Sequence, residues 1–168
     1  MIEVPISEDY MRHAREKASS VGILQGSITG GTSNIVGAIG EIIVADTIGA
    51  TEANTVNYDL VKDGNRIDVK TKRCNTRPQP NYDCSVASHG TKQDCDSYVF
   101  VRILTDLSKA WILGSIPKKK YYEEATRYKK GQVDPSNGFT FRTDCYNLPI
   151  SNLEPINEIK SQSKTILD

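Results

Sequence analysis

Two alternating runs, TVNYDLVK (55–62) and RIDVKTK (66–72), lie on either side of the dipeptide Asp63-Gly64. Asp-Gly between such runs is a strong short-range signal for a β-hairpin with a two-residue turn. The turn fixes the pairing, and the side-chain period of two then assigns every residue to a face. With Asp63-Gly64 as the turn, Lys62 pairs with Asn65, Val61 faces Arg66, Leu60 faces Ile67 and Asp59 faces Asp68. Opposed side chains lie about 4.5–5.5 Å apart at Cβ, so two carboxylates there repel unless a cation stands between them. A divalent metal is the obvious cation, since hard cations take oxygen ligands. Lys70 is two residues beyond Asp68 and projects from the same face, while Ile67 and Val69 point to the core. With Gly64-Asn65 as the turn, Asp59 faces Lys70 and the outcome is a cross-strand salt bridge. A three-residue loop shifts the pairing by one and sends Asp59 to the other face, unless a bulge restores it. Spacing alone leaves the metal site and the salt bridge both open.

The segment before the hairpin is helical. SNIVGAIGEIIVADTIG reads as a helix over 34–48, capped by Ser33 or Asn34 and ended by Gly49. Its apolar residues run nearly all the way round, which implies burial. Gly37 and Gly40 inside it each cost about 1 kcal/mol relative to Ala, so something is expected to pack very close to them. Glu41 is the only ionisable residue between Lys17 and Asp46. A buried carboxylate needs a partner, and a metal or Lys70 would supply one. The other reading is a Glu reaching solvent at the helix edge.

SEDYMRHAREKAS reads as an N-terminal helix with Ser7 as its cap, followed by the connector QGSITGGTSN. YDCSVAS (82–88), SYVFVRIL (97–104) and AWILGSI (110–116) read as strands, and PKKKYYEEATRYKKG as an amphipathic helix ended by Gly131. Short strands are expected around FTFR and CYNLPI. The expected fold class is α/β or α+β: a mixed central sheet flanked by helices, with no βαβ repeat. The 168 residues fit one domain, with an N-terminal helix and connector at 1–32 and a loosely held tail at 157–168.

Net charge is zero, so bulk charge names no partner. Its distribution is uneven. Residues 1–60 carry three basic side chains against eight acidic, whereas 62–77 and 117–131 each carry six basic against two acidic. Two basic tracts on an otherwise acidic chain can track a phosphate backbone or form ordinary solvated surface. Tyr121, Tyr122 and Tyr128 either stack on bases or, as their spacing favours, form a core stripe. No long apolar run predicts a membrane span, and the N-terminus has no signal-peptide pattern, so a cytoplasmic protein is expected. Cys74, Cys84, Cys95 and Cys145 contain no CxxC pair and are expected as free thiols. A zinc site from Cys74, Cys84, His89 and Cys95 matches no established spacing.

GAIGEIIVA with Glu41, YDL with Asp59, and IDVKTK with Asp68 and Lys70 together resemble the PD-(D/E)xK nuclease superfamily, with its restriction-endonuclease-like core. The likeness covers roughly residues 33–104, and the later segments also resemble small nucleases of this type from phages and bacteria. Two departures stand out: Tyr58 replaces the Pro before Asp59, and no clear helix precedes SYVFVRI. The resemblance implies that Asp59, Asp68 and the Val69 carbonyl bind Mg²⁺, with Mn²⁺ as substitute. It implies that Glu41 assists as an outer or second-metal ligand and that Lys70 positions or activates the attacking water. Gln93 is a further candidate, since some relatives use a Gln, while His89 reads as a loop residue. The basic tracts would bind nucleic acid through Lys72, Arg73, Arg77, Lys118, Lys119 and Lys120. The implied function is a Mg²⁺-dependent DNA endonuclease, in the host cytoplasm if phage-encoded. A homodimer is compatible with duplex cleavage, which needs two sites or two visits. The alternative is a non-catalytic nucleic-acid-binding or assembly protein on the same fold.

Overall fold

The structure is a computed structural model that describes residues 1–25, 32–53 and 55–159. Residues 26–31 of the expected connector QGSITGGTSN and residues 160–168 of the expected tail lie outside the described residues, while Thr32, Ser33 and Asn34 of that connector belong to a helix.

Asp63 (φ 49°) and Gly64 (φ 77°) both adopt the left-handed conformation that a type I′ turn requires. Strand β3 (Leu60–Lys62) therefore pairs antiparallel with β4 (Asn65–Cys74), placing Lys62 opposite Asn65 and Leu60 opposite Ile67. This is the register of the Asp63-Gly64 turn. β2 (Thr51–Glu52) lies outside β3. On its other side β4 runs parallel to β6 (Ser97–Leu104), which β7 (Lys109–Pro117) follows antiparallel. β1 (Ile2–Pro5) forms the far edge against β7. The six-stranded mixed sheet has the order β1-β7-β6-β4-β3-β2. β1 carries no alternation strong enough to be read from IEVP. The run at 55–62 yields only a three-residue strand, because Thr55 Oγ1 accepts the Asn57 and Tyr58 N–H groups in a local turn.

The sheet separates two cores. Ile67, Val69, Val99, Val101 and Ile103 form one face with helices α1 (Glu8–Gln25) and α2 (Thr32–Ile48). Ser7 Oγ accepts the Tyr10 N–H at the start of α1, as a cap should. Ile39, Ile43 and Val44 of α2 are fully buried, and Gly49 (φ 68°) ends the helix. The other face presents Tyr98, Phe100, Trp111 and Leu113 to a second sheet. That sheet consists of β5 (Asp83–Ala87), β9 (Cys145–Pro149) and β8 (Thr126–Tyr128), with β9 in the middle. The fold is thus α+β, a mixed central sheet flanked by helices, with an additional small sheet.

Helix α3 spans only Lys118–Glu124. Ala125 is extended, and Thr126 pairs with Asn147 of β9, so the expected continuation to Gly131 is a strand instead. Tyr121 is fully buried and donates from its hydroxyl to the Cys84 carbonyl at 2.8 Å, and Tyr128 stacks on Phe141. Tyr121 is core, and Tyr128 is part-buried against Phe141. Among the described residues no helix is long and apolar enough to cross a membrane.

The two helix glycines differ. A Cβ on Gly40 would lie 1.9 Å from Thr71 Oγ1 and 3.0 Å from Thr71 Cβ, whereas one on Gly37 meets nothing within 4 Å. Gly40→Ala is expected to destabilise the fold by about 1–3 kcal/mol through overpacking, and Gly37→Ala to stabilise it by up to about 1 kcal/mol through helix propensity. Urea unfolding of both variants checks this. Equal midpoints would contradict the close approach of α2 to β4.

Candidate functional site

The site forms where β3 stops and β4 continues. The Asp59 N–H donates to the Ile67 carbonyl at 2.9 Å, although the residue opposite Ile67 is Leu60. Two residues on one strand thus meet one on the other, which is the mark of a β-bulge. Asp59 Oδ2 then accepts the Val69 N–H at 2.7 Å. A strand N–H points sideways towards its neighbouring strand. The Asp59 carboxylate therefore lies at the sheet edge, where the carbonyl of a longer β3 would have been. This corrects the ideal register, in which Asp59 and Asp68 would share one face.

Asp68 and Lys70 do share a face. Asp68 is 5% exposed; its Oδ1 accepts the Gln93 side-chain N–H at 2.9 Å, and its Oδ2 lies 2.7 Å from Lys70 Nζ. That last contact is an ion pair without hydrogen-bond alignment, since Oδ2 is sealed from solvent and has no aligned donor. Lys70 Nζ also donates to Gln93 Oε1 at 3.1 Å and lies 5.7 Å from the centre of the Tyr98 ring. Gln93 thus ties Asp68 to Lys70. Its loop is held at both ends. Arg66 bonds Asp94 at 2.8 Å and Asp96 at 3.0 Å, and Lys118 Nζ donates to the carbonyls of Thr91 and Gln93.

Glu41 approaches from α2, and its partner is Lys17 at 2.5 Å, not Lys70. Lys17 also bonds Glu52 at 2.7 Å. Burial works against the Lys17 charge, but the bonds to Glu41 and Glu52 outweigh it and hold its pKa above the usual lysine value. Lys17 and Glu52 escaped the sequence reading. The available signal was helical spacing: Lys17 is three residues beyond the fully buried Ala14, on the inward face of α1.

Asp59 feels all of these groups. Burial pushes its pKa up to about 7, the charges of Glu41 and Asp68 push the same way, and the Val69 N–H and Lys70 pull it down. Glu41, Glu52, Asp59 and Asp68 carry four negative charges when ionised, against the two ammonium groups of Lys17 and Lys70. Among the described residues no three His, Cys, Asp or Glu side chains lie close enough together to hold a metal. This applies to the Cys74, Cys84, His89, Cys95 set as well as to the side-chain trio Glu41, Asp59 and Asp68. The donors that a cation would meet here are the Asp59 and Asp68 carboxylates and the Val69 carbonyl, and Asp68 Oδ2 is buried with no aligned hydrogen-bond donor. All four cysteines are free, and burial raises the thiol pKa of Cys84 to about 12 and of Cys95 to about 11.

The basic tracts divide. Lys72 shares the face of Lys70, whereas Arg73 points to the opposite face, because adjacent strand residues alternate. Arg77 is exposed in a loop. Lys118 anchors the Gln93 loop, Lys120 pairs with Glu154 at 3.0 Å, and Lys119 is exposed, 4.0 Å from Glu123. A cleft of about 200 Å³ adjoins Lys70 and is lined by Lys72, Asp83 and Arg102. A larger open groove of about 760 Å³ between α1 and the end of α2 contains none of Asp59, Asp68 and Lys70.

The Asp59 shift has a definite sign. Its folded pKa of about 7 exceeds the ordinary 3.8, so its contribution to stability is fully present below about pH 4 and is lost as pH rises through 7. In metal-free buffer, wild type is expected to lose roughly a few kcal/mol relative to Asp59→Asn between those limits. Denaturant unfolding at several pH values measures the difference, and a flat difference would contradict the buried, crowded carboxylate. The chain matches no protein-family model, and no curated protein matches it in sequence.

Proposed function

We propose that this chain is a metal-dependent nuclease that hydrolyses phosphodiester bonds in DNA. The observation that carries the reading is the hydrogen bond that seats the Asp59 carboxylate on the Val69 N–H, next in sequence to Asp68, with the Lys70 ammonium 2.7 Å from Asp68. The choice of DNA rests on the resemblance of the ordered set Glu41, Asp59, Asp68 and Lys70 to the PD-(D/E)xK nucleases.

Asp59, Asp68 and the Val69 carbonyl would hold Mg²⁺, with Glu41 as an outer group. Bound there, the cation would supply positive charge to the phosphoryl and leaving oxygens. Gln93 fixes Asp68 and Lys70 relative to each other through its two ends. Lys70 has three N–H donors, one of which Gln93 takes. The remaining donors can hold Asp68 and orient an attacking water or a phosphoryl oxygen. The ammonium also offsets charge developing on the phosphate. Lys17 pairs with Glu41 at 2.5 Å and fixes where it points.

The Asp68–Lys70 ion pair also suits a second reading, a nucleic-acid-binding protein that does not cleave. The two readings differ in turnover. With Mg²⁺ or Mn²⁺, wild type is expected to nick plasmid or branched DNA, and Asp68→Ala and Lys70→Ala to lose at least about 100-fold in rate. Unchanged cleavage in both variants would reject the assignment. Metal-independent binding that tightens in Asp68→Asn, with no turnover in wild type, would establish the second reading.

A further inference from the structure

We propose that the cleft beside Lys70 is a phosphate subsite, in which Lys72 and Arg102 hold a backbone phosphodiester next to the one presented at Lys70. This rests on the nuclease reading and names the part of the substrate strand that the protein grips.

Arg102 carries the argument. It is 7% exposed and lines the cleft. Its guanidinium donates to the main-chain carbonyl of Asp83, and among the described residues no carboxylate forms an ion pair with it. A guanidinium has five N–H donors, and buried donors are normally satisfied. None of the other Arg102 nitrogens is both sealed and unpaired, and Arg102 lines the cleft. Lys72 lies directly across the β4–β6 pair from Arg102. Like charges placed opposite each other destabilise a sheet unless an anion joins them. Asp83 is the only acidic residue lining the cleft, against Lys70, Lys72 and Arg102.

The geometry selects the anion. Lys70 and Lys72 are two residues apart on one strand and one face, about 6.6 Å along it. That is comparable to the step between neighbouring phosphates on one nucleic-acid strand. A guanidinium fork fits phosphate oxygens in pairs. Phe100 and Leu113 supply apolar walls against which a sugar can lie. The volume of about 200 Å³ is well above the roughly 10–15 Å³ that a cavity needs to hold one water.

The test measures binding of a fluorescent oligodeoxynucleotide to the 168-residue chain in Ca²⁺, over a range of salt, and cleavage of the same strand in Mg²⁺. Lys72→Gln is expected to weaken binding about tenfold and to reduce the slope of log K against log salt by about 0.7–0.9, the loss of one phosphate contact. It should raise KM and leave kcat within about twofold. Lys109→Gln, at the start of β7 beside Glu3 and outside the cleft lining, should change none of these. In wild type, one uncharged methylphosphonate linkage beside the cleaved position should weaken binding by a similar factor. In Lys72→Gln that same linkage should have no further effect. Arg102→Lys, checked for its fold by circular dichroism, should show the same loss of the linkage effect. An unchanged salt slope in Lys72→Gln, or an undiminished linkage effect, overturns the subsite while leaving the nuclease reading intact. A wild-type chain that neither binds nor cuts DNA overturns both.

Discussion

The hydrogen bond from the Val69 N–H to the Asp59 carboxylate, 2.7 Å long, determines the shape of the site. A central strand normally gives each such N–H to a neighbouring main-chain carbonyl. Here β3 ends early, and a side chain completes the ladder. The substitution has two consequences. It satisfies a donor that would otherwise be stranded in a half-buried sheet, and it fixes a carboxyl group within one residue of Asp68. The bulge at residues 59 and 60 allows the side chain to reach that position, and the type I′ turn at Asp63-Gly64 sets the register from which the bulge departs. Function on this reading depends on a local irregularity in an otherwise regular hairpin.

The sheet also explains why charges collect at this edge. Both of its faces are covered, one by α1 and α2 and the other by the small second sheet. An ionised group buried between layers is strongly disfavoured unless paired. The strand edge beyond β3 is the place where Asp59 can be part-buried within reach of the charges of Glu41, Asp68 and Lys70. Gly40 lets α2 approach Thr71 closely enough to bring Glu41, one residue on, to that edge.

The hairpin register, the α2 helix and the strand at 97–104 were legible in the sequence, because each rests on local chemistry: a turn dipeptide, an unbroken apolar helix, a run of β-branched and aromatic residues. Gly40 was legible as a close contact, but Gly37 has open space and shows that the same local signal can be empty. The partner of Glu41 was not legible, because Lys17 is distant in sequence and reaches it only through helix packing. The exact position of Asp59 was not legible either, since a bulge leaves little mark on the residue pattern. The end of α3 failed for a related reason. Residues 126–128 have acceptable helical spacing, and pairing with β9, a tertiary contact, overrides it.

The loop carrying Gln93 shows how the distant parts of the chain serve the same few atoms. It contains no regular element beyond a single 3-10 turn at Ser88–Lys92, so its backbone has little intrinsic reason to stay in place. Arg66 holds one end, through charged bonds to Asp94 and Asp96 and a main-chain bond to Asp96. Lys118, at the start of α3, holds the carbonyls of Thr91 and Gln93. Charge-assisted bonds of this kind are roughly twice as strong as neutral ones. Part of the basic character that suggested a nucleic-acid surface is thus spent inside the molecule, keeping one amide side chain between Asp68 and Lys70. The charge that remains turned towards the open cleft is that of Lys72 and Arg102, on the face that Lys70 occupies.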